Sequence, residues 1–93
     1  GPQVFYYTTS EEGKTAAFLM QAQLAEGLEQ EKKREAKANN SYYLLKKSTI
    51  PTIIVECGFL SNYAEAERLK TEAYQEQVAF QITMGILKYL NQE

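Results

Sequence analysis

The sequence predicts an α/β fold: an open, mostly parallel sheet of about three strands with about three helices on its faces. Three observations carry this. Short runs of β-branched and aromatic residues, at Gln3 to Thr8, Tyr42 to Leu45 and Thr52 to Val55, have the length and composition of strands. Elsewhere apolar residues recur at helical spacing: Ala16, Ala17, Met20, Leu24 and Leu28 in one stretch, and Tyr74, Val78, Ile82, Ile86 and Tyr89 in another. The two patterns alternate without an internal repeat, as they do where helices are layered on a sheet.

The first run is apolar at consecutive positions, as in a strand covered on both faces. Thr9 and Ser10 then offer N-cap oxygens, and Glu11 and Glu12 place negative charge in a first helical turn, where the helix dipole favours it. The helix that follows is expected to end near Gln30. Glu31 to Ser41 has no sustained apolar face and contains Asn39-Asn40, so it reads as a frayed helix end and a loop. Tyr42 to Leu45, closed by Lys46 and Lys47, reads as the second strand. Pro51 opens the third. Proline is tolerated at a strand's first residue, and four β-branched residues in a row suit a buried central strand. Beyond Glu56 and Gly58, Asn62 with Glu65 has the spacing of a capping box for a short helix through about Lys70. Thr71 can cap the closing helix.

A chain of 93 residues makes one domain at most, and a domain of that size buries only about 60 to 65% of its unfolded surface. With 44% hydrophobic and 12% aromatic residues a packed core is expected rather than wholesale disorder. Three strands are few for such a sheet, so unpaired edges and apolar faces are expected to draw the chain into association with itself or with further parts of the same domain. The net charge is -2, and the one basic run, Lys32, Lys33, Arg34 and Lys37, is broken by Glu31 and Glu35. Nucleic-acid binding needs a concentrated basic face, which this is not. No apolar stretch approaches the roughly 20 residues that cross a bilayer, and no secretory signal is visible in these residues. Cys57 is the single cysteine and histidine does not occur. Zinc sites in proteins rest mainly on those two residue types, so this composition cannot complete a usual one.

The chemistry concentrates in the segment from Pro51 to Asn62. Glu56 stands where an apolar strand gives way to a glycine-bearing turn, and catalytic groups in open α/β sheets gather outside the carboxyl ends of strands. A carboxylate there is partly desolvated, which suits it to proton transfer. The bland alternative is that Glu56 accepts backbone N–H bonds at the turn or pairs with a lysine. Cys57 has no histidine to activate it and is expected to be a buried turn thiol. The seven tyrosines are expected mostly in the core with polar tips at the surface.

The segment Pro51-Thr-Ile-Ile-Val-Glu-Cys-Gly-Phe-Leu-Ser-Asn62 resembles the signature of the zinc-dependent N-acetylmuramoyl-L-alanine amidases, Pro-x-x-Leu/Ile-Val-Glu-x-Gly-Phe-Leu-Ser-Asn. The likeness extends over essentially the whole chain. Gly1 with Gln3 to Tyr7 is similar to the strand after the family's last zinc histidine, Ala17 to Leu24 to the next helix, and Ser41 to Leu45 to the strand before the signature. Glu65, Leu69, Tyr74, Gln75, Ala79, Gly85, Ile86 and Tyr89 resemble the closing helices. Arg34 to Leu45 is most similar to the branch from spore-forming bacteria that acts on spore cortex.

The resemblance implies hydrolysis, in peptidoglycan, of the amide between N-acetylmuramic acid and the first L-alanine of the stem peptide. In such enzymes a zinc ion held by two histidines and a glutamate polarises the carbonyl and activates a water, while the glutamate matching Glu56 handles the proton. Leu60, Ser61 and Asn62 would shape the substrate groove, although Asn62 also suffices as a helix cap. The family's zinc ligands lie upstream of the strand matched by Val4 to Tyr7. Residues 1–93 are therefore expected to be the C-terminal part of one amidase domain, binding no zinc and cleaving nothing alone, with the complete enzyme acting outside the cytoplasm. The competing expectation is a non-catalytic module that binds a partner through an exposed strand edge.

Overall fold

The consecutive apolar residues of the first run form strand β1 (Gln3–Tyr7) at the centre of a three-stranded sheet. A computed structural model describes residues 1–28, 34–58 and 62–92. Along the chain β1 is followed by α1 (Glu11–Gly27), β2 (Lys37–Asn39), α2 (Tyr43–Lys47), β3 (Ile53–Glu56), α3 (Tyr63–Leu69) and α4 (Glu72–Leu90). The strand order is β2-β1-β3. β1 runs parallel to β2, with Phe5 opposite Lys37 and Tyr7 opposite Asn39. It runs antiparallel to β3, with Gln3 opposite Glu56 and Tyr6 opposite Ile53. The α/β class is as the sequence predicts. The sheet is mixed, with one parallel and one antiparallel pair.

Three expectations are corrected. Tyr42 to Leu45 is not a strand: it enters α2, which makes four helices among the described residues in place of three. The cause is local. Asn39 Oδ1 accepts hydrogen bonds from the backbone N–H of Ser41 (2.9 Å) and of Tyr42 (2.9 Å), which turns the chain sharply. Leu44, Leu45, Lys46 and Lys47 then propagate a helix readily, with the lysines at the end that the dipole favours. The third strand is instead Lys37–Asn39, inside the segment read as a loop; three residues without β-branched character carry no strand signal, and pairing with β1 makes them one. β3, expected to be central and buried, flanks β1 and is half-buried throughout.

The caps fall where expected. Ser10 Oγ accepts from Gly13 N (3.0 Å), Asn62 Oδ1 from Glu65 N (3.1 Å) and Thr71 Oγ1 from Tyr74 N (3.3 Å). The expected end of the first helix at Gln30, and Glu31, Lys32 and Lys33 of the basic run, lie outside the described residues.

The core sits between β1 and α1. Val4, Tyr6, Ala17, Met20, Leu24 and Ala36 form one buried cluster, with Leu28, Ile53, Val55 and Ile82 packed against it. Alternation along the strand therefore turns Val4 and Tyr6, with Val55 and Ile53 opposite them, toward α1, and Phe5 toward the other face. α4 lies along α1. Gly85 makes the close approach possible, since a Cβ there would stand 2.5 Å from Met20 Sδ and 2.9 Å from its Cε. Of the expected α4 stripe, Val78 is buried and Ile82 half-buried, whereas Ile86 is 48% exposed. The 100° step per residue carries Gly85, rather than Ile86, to the contact line.

One buried polar side chain ties α1 to β1. Gln21, 2% exposed, accepts from Val4 N at Oε1 (2.8 Å) and donates from Nε2 to the carbonyl of Pro2 (3.0 Å). Gln3 Nε2 also donates to Gln21 Oε1 (3.3 Å) and to the carbonyl of Glu35 (2.8 Å). The side-chain amide thus satisfies backbone groups that the sheet ladder does not.

Among the described residues no helix is long and apolar enough to cross a membrane. Several large apolar side chains stand in solvent, including Tyr43, Leu44, Ile50, Tyr63, Phe80 and Leu90. Tyr43 (71% exposed) and Tyr63 (79%) thus depart from the expectation that the tyrosines are mostly core. Each lies at the first residue of a short helix, where the turn directs it outward.

Candidate active site

Glu56 is the last residue of β3, and its pairing with Gln3 places it at the end of the sheet where β1 begins. It is half-buried. Ile53, Ile54 and Val55 supply the extended, β-branched backbone that carries it to this position. Gly58, two residues on, lets the turn press against α3: a Cβ there would lie 3.1 Å from Leu69 Cδ1 and 3.5 Å from Glu65 Oε2.

Among the described residues Glu56 makes neither contact of the bland alternative, a backbone N–H bond at the turn or a lysine pair. Its partner is the phenol of Tyr42, whose Oη donates to Glu56 Oε1 at 2.8 Å. Tyr42 is the N-cap residue of α2, and its ring meets Phe5 of β1 edge to face, with centroids 5.4 Å apart and planes at 80°. The hydrogen bond to Glu56 raises the Tyr42 phenol above its ordinary 10.0; burial and the negative charge of Glu56 push the same way. Tyr42 therefore stays a protonated donor throughout the neutral range. Among the described residues no hydrogen bond engages Glu56 Oε2.

The neighbouring residues divide clearly. Burial pushes the Cys57 thiol up from its ordinary 9.0, so it is protonated and a poor nucleophile at neutral pH. Asn62 is exposed and its Oδ1 serves the cap of α3. Leu60 and Ser61 lie outside the described residues. Tyr42 was missed as a site residue by sequence reasoning, which placed it in a strand; nothing in the linear order links it to a carboxylate 14 positions on. The donor set for a zinc ion is not found on these residues. The chain has no histidine and one cysteine, and among the described residues no three His, Cys, Asp or Glu side chains group to hold a metal.

Fold and site together define an α/β domain that presents a single hydrogen-bonded carboxylate at a strand end. A family model described as N-acetylmuramoyl-L-alanine amidase matches residues 1–88, and the chain belongs to that family. The germination-specific N-acetylmuramoyl-L-alanine amidase of Bacillus subtilis (strain 168) is 39% identical over 93 residues, covering 100% of this chain and 39% of that protein. The CwlD amidase from Clostridioides difficile, solved in complex with the GerS lipoprotein, superposes with a TM-score of 0.93 at 40% identity, over 97% of this chain and 46% of that one. An N-acetylmuramoyl-L-alanine amidase from Clostridium difficile 630 gives 0.92 at 30% identity, over 100% of this chain and 50% of the other. The chain thus spans half or less of the length of these relatives.

Proposed function

We propose that this chain supplies the acid–base carboxylate of a peptidoglycan amidase, one that hydrolyses the amide between N-acetylmuramic acid and L-alanine of the stem peptide. The observation that carries the proposal is Glu56: half-buried at the end of β3 and held, among the described residues, by a neutral donor with no cation paired to it. As general base it takes a proton from the attacking water; as general acid it returns that proton to the amide nitrogen as the C–N bond breaks. The products are a lactyl carboxylate and the free amine of L-alanine. To act, Glu56 must come within about 2.6 to 3.2 Å of the atom that carries the proton it moves, directly or through one water.

The zinc ion that the family resemblance implies is, in this proposal, held by residues outside this chain, and these 93 residues alone are inactive. Leu60, Ser61 and Asn62, following Glu56 in sequence, border the substrate groove. Work on peptidoglycan sets the complete enzyme outside the cytoplasm, in the cell wall or spore envelope. The likeness to a relative solved with a lipoprotein supports a protein partner as well.

The test is release of stem peptide from purified muropeptides by the complete enzyme that carries this chain, compared with its Glu56→Gln variant. Gln keeps the shape and the hydrogen bond from Tyr42 but cannot take a proton. We expect a loss of about 100- to 10,000-fold in kcat, the range general acid–base catalysis contributes, with thermal stability retained. Unchanged cleavage would make Glu56 structural and favour the non-catalytic interaction module.

A further inference from the structure

The geometry points to Tyr42 as a positioning residue for the reaction, one that holds Glu56 Oε1 and so directs the carboxylate's other oxygen toward the proton it transfers. This rests on the role proposed for Glu56.

Tyr42 is itself held at three points. Its backbone N–H donates to Asn39 Oδ1 (2.9 Å), its ring stands edge-on to Phe5, and its hydroxyl donates to Glu56 (2.8 Å). Asn39 ends β2, Phe5 lies on β1 and Glu56 ends β3, so Tyr42 is tied to all three strands of the sheet, to β2 by its backbone and to β1 and β3 by its side chain. The Glu56 carboxylate hangs on a flexible side chain with several rotatable bonds, whose freedom a fixed hydrogen bond restricts. The donor is neutral and remains so, because the same bond makes the phenol harder to ionise. A lysine in its place would neutralise Glu56 in an ion pair, whereas a phenol holds the carboxylate without bringing a charge to it. The other titratable groups near this end of the sheet include Cys57, next in the chain, Glu65 of α3 beside Gly58, which pairs with the amino group of Gly1, and Tyr74 of α4, which feels the charges of Arg68, Glu65 and Cys57. None of them is hydrogen-bonded to Glu56 among the described residues.

The experiment compares Tyr42→Phe with Glu56→Gln in the complete enzyme, on muropeptides, with kcat, KM and the melting temperature all measured. Phe keeps the ring against Phe5 and removes only the donor. The expected result is a kcat lower by about 10- to 100-fold, the worth of a hydrogen bond to a charged group. KM and melting temperature should hold, so that the loss falls on kcat alone. A lowered melting temperature with kcat and KM changed together makes Tyr42 structural and overturns the inference. Unchanged kcat in Tyr42→Phe, with activity abolished in Glu56→Gln, overturns the inference and leaves Glu56 catalytic. Unchanged activity in Glu56→Gln removes the role of Glu56 and this inference with it. Should Tyr42→Phe not fold, Asn39→Ala loosens the backbone of Tyr42 without touching its ring. It should lower kcat by about 2- to 10-fold, again with KM held; no such change would overturn the inference.

Discussion

Replacing Gln21 with Met tests how the helix–strand core is held. The substitution keeps an unbranched side chain of similar volume, so no cavity opens. It removes the acceptor of Val4 N–H and the donor to the Pro2 carbonyl, both backbone groups in the buried seam between α1 and β1. Each orphaned buried group costs about 1 to 3 kcal/mol, while exchanging an amide for a thioether returns roughly 1 kcal/mol of apolar transfer. Gln3 Nε2 keeps its bond to the Glu35 carbonyl, so it adds little to the loss. The net destabilisation is about 1 to 5 kcal/mol. A chain of 93 residues has a total stability of about 5 to 14 kcal/mol. At about 4 to 8 °C per kcal/mol the melting temperature should drop by roughly 5 to 40 °C. Urea unfolding followed by far-ultraviolet circular dichroism gives the value directly, with an unchanged m-value expected. A loss below about 0.5 kcal/mol would refute the reasoning, since single surface substitutions fall in that range. It would mean that Val4 N–H and the Pro2 carbonyl reach water in the folded protein.

Two further outcomes follow from the titrations. Because burial raises the Cys57 thiol, its alkylation by iodoacetamide at neutral pH should be slower than that of a free cysteine and should accelerate only as pH rises past the ordinary thiol value of 9.0; a rate equal to the free amino acid would contradict the burial. The Tyr42 phenol ionises at higher pH in the folded chain than in the unfolded one. Its stabilising contribution is therefore fully present below the ordinary 10.0 and is lost as pH climbs through the raised value. Alkaline denaturation should show the advantage of the natural chain over Tyr42→Phe shrinking in that window, and a constant difference would argue against the bond to Glu56.

The candidate site was half legible in the sequence. Glu56 could be picked out because a β-branched run ending in a carboxylate and then a glycine turn is a local pattern, and its resemblance to a family signature is local too. Tyr42 could not. Its partner lies 14 residues away on a strand that reaches it only after the chain has turned at Asn39, and its own segment alternates no differently from a strand. Gln21 was hidden for a similar reason: a glutamine between Met20 and Leu24 looks like the polar side of a helix until β1 lies beneath it.

What the sequence determined by itself is what neighbours along the chain decide. The helix starts at Ser10, Asn62 and Thr71, the strands at Gln3–Tyr7 and Ile53–Glu56, the α/β class and the glutamate at the end of β3 all rest on caps, periodicity and β-branching within a few residues. Tertiary structure decided the rest. Lys37–Asn39 became a strand because β1 offered it hydrogen bonds, β1 rather than β3 took the centre of the sheet, and Tyr42 met Glu56 because three strands were brought side by side. Pairing energy between distant segments leaves no mark on either segment alone, which is why these features appear only when the chain is folded.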